Sequence, residues 1–187
     1  SSWSMVLLSQ VVSQVKNKNS DLSEKNLLSL SYGRIKRKPI DMSGGLLPAA
    51  FDGYNIIENN DIVLRLTDLQ NDHMSLRVGI STEKGIITSA YITIRPKNSK
   101  IAKFLYYLLH TFDIRKGFYG MGSGVRQGLN YDEVKRLKIP FPAEDEQTAI
   151  SIFLDNEITR LDSIISAAKA SVEEYKSWKA SIIFEAV

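Results

Sequence analysis

From Glu144 to Glu185 the chain contains neither proline nor glycine, and no other feature constrains its fold as strongly. About forty residues without a helix breaker can form one helix, which at 1.5 Å per residue is about 60 Å long. A small domain cannot cover a helix of that length along its whole course. Its apolar positions are regular: Leu154, Ile158, Leu161, Ile165, Ala168, Val172 and Tyr175 follow a 4-3-4-3-4-3 spacing, and Ile182 returns in register after Lys179. A heptad seam kept for four repeats is the sign of a coiled coil or an antiparallel helix pair. The sequence therefore predicts a helix that requires a partner helix. Glu144, Asp145 and Glu146 place negative charge in its first turn, where the helix dipole favours it.

What precedes this helix has a different character. In Ile139-Pro140-Phe141-Pro142 each proline drives the residue before it out of the helical region, so the helix has a sharp start. Residues 1–142 carry 20 Lys+Arg against 12 Asp+Glu, a net +8, whereas residues 143–187 carry 4 against 9, a net −5. A basic body joined to an acidic helix implies two surfaces with different partners, and the basic one suits a polyanion such as nucleic acid. We divide the chain accordingly into residues 1–142 and residues 143–187.

Within the body, residues 5–15 hold Val6, Leu7, Val11, Val12 and Val15 and read as a short amphipathic helix. Residues 54–57, 61–66, 76–80 and 86–95 are short, rich in β-branched residues and separated by polar turns, and they read as four strands. From 99 to 116 the period changes: Ile101, Phe104, Leu105, Leu108, Leu109 and Phe112 recur at three and four, predicting a helix with one buried face that Gly117 ends. Gly117 to Gly128 has five glycines in twelve residues and reads as a loop. The expected fold is α+β: a small twisted mixed sheet with helices, then one long coiled-coil-forming helix.

Composition excludes several chemistries. There is no cysteine, so disulfides and thiolate metal sites are ruled out and a reducing, cytoplasmic setting is expected. The two histidines, His73 and His110, lie far apart, so no metal site is expected, and each reads as a surface or half-buried side chain. No run of about 18 apolar residues is present, so no membrane span is expected. Phe118, Gly120 and Gly122 form an F-x-G-x-G string that occurs in S-adenosylmethionine-dependent methyltransferases. It follows a predicted helix rather than a strand, and no Pro-Pro accompanies it. A DNA-modifying enzyme using the Gly120–Gly124 loop for cofactor is thus the alternative reading, and tight turns in that loop the favoured one. Asp61, Asp68 and Asp72 stand in a row without the convergence that a two-metal nuclease needs, and Asp68 and Asp72 read as turn or capping residues. Neither a cofactor nor a catalytic residue is expected.

The positive residues gather in three places. Arg34, Lys36, Arg37 and Lys38 follow Tyr32. Arg115, Lys116 and Arg126 flank the glycine loop together with Tyr119, Ser123 and Gln127. Lys135, Arg136 and Lys138 precede the prolines. Three such runs within a body of +8 favour a phosphate-binding surface, in which Arg, Gln and Ser can read base edges and Lys mostly fixes position. We take Tyr32, Arg34, Lys36, Arg37, Lys38, Arg115, Lys116, Tyr119, Ser123, Arg126 and Gln127 as the candidate DNA-binding set.

Several segments then follow one another in the order of a known family. They are Gly53-Tyr54, the run from Asp61 to Gln70, Thr88-Ser89-Ala90-Tyr91, Arg95-Pro96-Lys97, Tyr106-Tyr107-Leu108, and Gly122 to Arg126. After these come Leu137 to Pro142 and a helix entered at Glu146-Gln147 that contains Phe153-Leu154-Asp155 and Leu161-Asp162. The chain resembles, from about residue 20 to its end, the specificity subunit of Type I restriction-modification systems. The resemblance implies a target recognition domain over residues 1–142 and a conserved spacer helix over 143–187. It also implies binding to double-stranded DNA, to methyltransferase subunits and, through the complex, to restriction subunits, with the family's catalysis in those partner subunits. A full subunit of that family has two recognition domains and two spacer helices, while this chain has one of each, so a second copy or a second half is the implied partner of the helix.

Overall fold

The computed structural model describes residues 3–40, 51–69, 74, 76–121 and 128–186. It contains ten short strands and four α-helices among the described residues. The chain divides into two compact units, Ser1–Thr148 and Ala149–Val187.

The first unit is built on an antiparallel four-stranded sheet of β2 (Val12–Gln14), β9 (Ile92–Pro96), β6 (Ile62–Leu64) and β7 (Val78–Ile80), in that order. Its central strand β6 is buried on both faces, which explains why Ile62-Val63-Leu64 is an unbroken apolar run. Ile62, Leu64 and Ile94 share a core with Leu105 and Leu109 of helix α2 (Ala102–Ile114). Val63 turns to the opposite side and packs with Leu28, Leu30, Ile57 and Ile87. Each fully buried Leu or Ile contributes about 1.5–3 kcal/mol gross, so both faces of β6 hold the unit together. Two further pairs flank the sheet: β3 (Leu28–Ser31) with β4 (Arg34–Arg37), and β5 (Asn55–Ile57) with β8 (Gly85–Ile87). The fold is α+β as expected, but the strands form several small antiparallel sheets rather than one mixed sheet.

Three sequence expectations are corrected. Residues 5–15 are not one helix but β1 (Ser4–Leu7), a single turn α1 (Leu8–Val11) and β2. β1 pairs with β10 (Lys138–Phe141) and β2 with β9, so strand partners far along the chain override the local periodicity. Residues 86–95 form two strands, β8 and β9, divided by a turn in which the Tyr91 amide donates to the Thr88 carbonyl. Helix α2 does end near Gly117, yet the left-handed residue is Lys116, with φ of +61°. Gly117 serves packing instead: a Cβ there would lie 2.4 Å from the Phe112 ring.

The start of the long helix α4 (Glu144–Ala186) is tied to the first unit. Glu144 accepts from Asn98 and from Lys100, each at 3.0 Å, and Glu146 accepts from the Trp3 indole at 3.0 Å. Buried Gln147 donates to the Pro142 carbonyl at 2.7 Å. The acidic first turn therefore acts through side-chain partners as well as through the helix dipole. No helix among the described residues is long and apolar enough to cross a membrane.

Candidate nucleic-acid interface

The densest basic run lies on a β-ribbon. Strands β3 and β4 pair Leu28 with Arg37, Ser29 with Lys36, Leu30 with Ile35 and Ser31 with Arg34. The turn is two residues long, Tyr32 and Gly33, both at positive φ (+48° and +74°), as a type I′ hairpin requires. Because strand side chains alternate, Leu28, Leu30, Ile35 and Arg37 share the inward face and Ser29, Ser31, Arg34 and Lys36 the outward one. The inward face rests on β7 at Gly79, where a Cβ would meet Leu30 Cδ1 at 2.6 Å and Ile35 Cδ1 at 3.2 Å.

The structure thus separates residues that the sequence groups together. Arg34, Lys36 and Lys38 are exposed. Arg37 is turned back to Glu83, which its Nη2 meets at 2.6 Å and its Nε at 2.8 Å; Asn26 donates to the same carboxylate at 2.9 Å. This pairing raises the Arg37 pKa and lowers that of Glu83 through their shared hydrogen bond. At the ribbon's tip, Gly33 lies under His110 of α2, and Arg34 acts electrostatically on Tyr106 of the same helix. The tip and the helix face bearing Tyr106 and His110 are therefore neighbours, and Arg115 and Lys116 follow at the helix end. Lys116 Nζ stands 4.9 Å from the centroid of the Tyr119 ring, a cation–π contact. Ser123, Arg126 and Gln127 lie outside the described residues, as do Gly122 and Gly124.

Beneath these groups is an arginine that sequence reasoning missed. Arg77 is fully buried. Its guanidinium donates to the carbonyls of Arg65 (3.0 Å), Thr67 (2.7 Å) and Asp68 (3.2 Å) and to the Tyr119 hydroxyl (3.1 Å). Its backbone amide donates to Asp113 Oδ2 at 2.6 Å. Arg77 thereby clamps the 65–68 loop to the turn that carries Tyr119. Asp113 is buried, and loss of water raises its pKa; burial lowers that of His110 one turn earlier. In the sequence Arg77 reads as the polar position of an ordinary alternating strand, so nothing marked it as interior. The hairpin that carries Ser29 and Ser31 was hidden for another reason. Leu-Ser-Leu-Ser and Arg-Ile-Lys-Arg do alternate around Tyr-Gly, but the run of charge masked the hairpin pattern.

The remaining polar groups have structural employment. Asp61 is buried and held bidentately by Arg95, both distances being 2.7 Å. Asp68 sits in a turn at φ of +58°, while Asp72 and His73 lie outside the described residues. Phe118, the first residue of the F-x-G-x-G string, is fully buried with its ring 4.9 Å from that of Phe112, so this part of the string packs the core.

The family profile of the Type I restriction modification DNA specificity domain matches residues 2–174. The chain belongs to this family. No curated protein sequence matches it. Solved structures similar to this specificity domain include the S subunit of the Type I restriction-modification system from M. genitalium. That protein is 18% identical, with a TM-score of 0.56, over 88% of this chain and 41% of the other. A structure described as showing complex assembly and conformational transition of the type I R-M system is 15% identical, with a TM-score of 0.59, over 91% and 42%. The HsdS subunit from Thermoanaerobacter tengcongensis is 15% identical, with a TM-score of 0.55, over 88% and 39%. The specificity domain thus spans about two-fifths of the length of each of these chains, and what it shares with them is the fold.

Proposed function

We propose that this specificity domain reads one half of a bipartite double-stranded DNA site as the non-catalytic part of a Type I restriction-modification complex in the cytoplasm. The observation that carries the reading is the family match over residues 2–174, which runs through the basic body and along most of α4. Residues 1–142 act as the target recognition domain, and residues 143–187 as the spacer helix that docks methyltransferase subunits and, through them, restriction subunits. The DNA surface comprises Tyr32, Arg34, Lys36 and Lys38 of the ribbon, Arg115, Lys116 and Tyr119 at the end of α2, and Ser123, Arg126 and Gln127 of the glycine loop. Arg37, spoken for by Glu83, supports the ribbon and does not read.

The helix seam supports the second half of this reading. Ile158, Leu161, Ile165, Val172, Tyr175 and Ile182 are 40–66% exposed. Leu154 is half-buried and Ala168 exposed. An apolar stripe of this extent marks an interaction site. The partner helix comes from a second copy or a second half of the specificity subunit, and in a homodimer two helices antiparallel about a two-fold axis set two recognition domains apart.

Two measurements test the proposal. Binding to a pool of mixed-sequence duplexes should weaken with salt, with a log–log slope of about −0.9 per phosphate contacted. The absence of salt-dependent binding even at low salt refutes DNA recognition. By sedimentation at tens of micromolar, the wild type should be a dimer and the variant with Leu161→Glu and Ile165→Glu a monomer. If both are monomers, self-pairing is wrong and the seam belongs to a second half of different sequence.

A further inference from the structure

We infer that the β3–β4 ribbon is the element that enters the DNA major groove, with Ser29, Ser31, Arg34 and Lys36 on base edges and Tyr32 leading at the tip. This rests on the reading that the chain binds duplex DNA, and it goes beyond that reading by naming the inserted element and four reading side chains, two of them serines.

Four observations converge. First, the ribbon's faces are chemically opposite. The inward face holds Leu28, Leu30 and Ile35, seated on Gly79, with Arg37 at its open end, while the outward face consists of two cross-strand pairs, Ser29 with Lys36 and Ser31 with Arg34. Each pair sets a hydroxyl, able to donate or accept, beside a cation. That is the donor and acceptor mixture that base edges in the major groove require, with Arg suited to guanine O6 and N7 and Ser to either kind of edge.

Second, the dimensions fit. A two-stranded ribbon enters a groove about 12 Å wide. Four residues of strand extend about 13 Å, the rise of about four base pairs.

Third, the tip is strained and exposed. Position one of a type I′ turn favours Asn, Asp or Gly, yet Tyr32 occupies it at φ of +48° with 81% of its surface exposed. A bulky residue held at positive φ without burial gains nothing for the fold, and strain of this kind gathers at functional positions.

Fourth, the row continues past the strand. Lys38 stands two residues beyond Lys36, and with Ser29, Tyr54, Thr88 and Tyr91 it lines a recess of about 200 Å³. From residue 28 to residue 38 there is no acidic residue. Glu83 is engaged by Arg37 from the inward side.

The test is selection from a randomised pool of duplexes by the full chain, with the thermal midpoint of each variant measured alongside. Wild type should select a defined consensus. Arg34→Ala should relax one position, costing about 5- to 150-fold for the preferred base. Arg34→Lys should keep affinity for mixed DNA while losing that preference. Ser29→Ala with Ser31→Ala should relax other positions. Tyr32→Asn, which gives the turn its favoured Asn-Gly pair, should hold or raise the midpoint while weakening DNA binding several-fold. Replacing the guanine at the position set by Arg34 with 7-deazaguanine, which lacks the major-groove N7, should weaken wild type and leave Arg34→Ala unaffected. Lys16→Ala, an equal loss of charge outside the ribbon, should keep the consensus.

If wild type selects a consensus and the Arg34 and serine variants select the same one, the ribbon is not the reader, although DNA recognition stands. A uniform response of all variants to 7-deazaguanine overturns the major-groove placement. If wild type shows neither selection nor salt-dependent binding, both the inference and the function beneath it fall.

Discussion

Replacing Arg77 with methionine keeps most of the side-chain volume and removes the guanidinium. That group donates at least four hydrogen bonds, three to the carbonyls of Arg65, Thr67 and Asp68 and one to Tyr119. A hydrogen bond involving a charged group is worth about 1.5–3 kcal/mol, but the four share one donor group and do not add. The better guide is the cost of removing one member of a buried charged network, about 3–5 kcal/mol. For a chain of this size each kcal/mol lowers the melting midpoint by about 2–4 °C, so Arg77→Met should lower it by about 6–20 °C. Far-UV circular dichroism, followed with temperature and with urea, measures both quantities. Arg37→Met is the internal control: its guanidinium is 75% exposed beside Glu83, and its loss should leave the midpoint within experimental scatter. If Arg77→Met costs less than about 1 kcal/mol, or if the two variants behave alike, the clamp on the 65–68 loop is refuted.

Two further outcomes are expected. Burial holds the His110 pKa below its ordinary 6.5, so the folded state binds fewer protons than the unfolded one just below that pH. Stability should therefore fall as pH drops below about 6.5, and His110→Gln should flatten that limb in urea titrations taken at several pH values; an unchanged slope contradicts the assignment. Gly117→Ala would set a Cβ 2.4 Å from the Phe112 ring and should cost about 1–3 kcal/mol by overpacking, and a neutral result by thermal melting would show that the ring can move aside.

The parts of the fold legible in sequence are those that local chemistry decides. The long helix could be read because no breaker interrupts it, and α2 because its apolar face repeats at three and four. Strands β5, β6 and β7 could be read from their β-branched residues. The region from Ser4 to Gln14 could not: its valines satisfy a helical period, and only partners more than eighty residues away, in β9 and β10, make it two strands. The single run at 86–95 hid a turn because Thr88-Ser89-Ala90-Tyr91 contains neither glycine nor proline. In the candidate interface Tyr32, Arg34 and Lys36 lie exposed on a hairpin that the sequence did not disclose, and Lys38 follows it. The division between Arg34 and Arg37 depends on which face of a strand each occupies, and no count of charges carries that.

Charge in this chain thus divides by what it touches rather than by where it clusters. Arg77 and Arg95 are spent on the interior: one holds three carbonyls and a hydroxyl, the other a buried aspartate. Arg37 is spent on Glu83 at the ribbon's open end. The ribbon's own anchors are its seat on Gly79, the Arg37–Glu83 pair and the close approach of Gly33 to His110. They matter because a side chain that reads a base edge must be held in place before the DNA arrives; otherwise ordering it consumes binding energy. Under the proposed reading by the ribbon, Gly79, Glu83 and His110 act on recognition by each fixing one point of it: its middle, its open end and its tip. Enlarging Gly79 should then weaken discrimination between sequences more than it weakens affinity for mixed DNA. A phosphate-contacting cation tolerates a shift of the ribbon, and a hydrogen bond to a base edge does not.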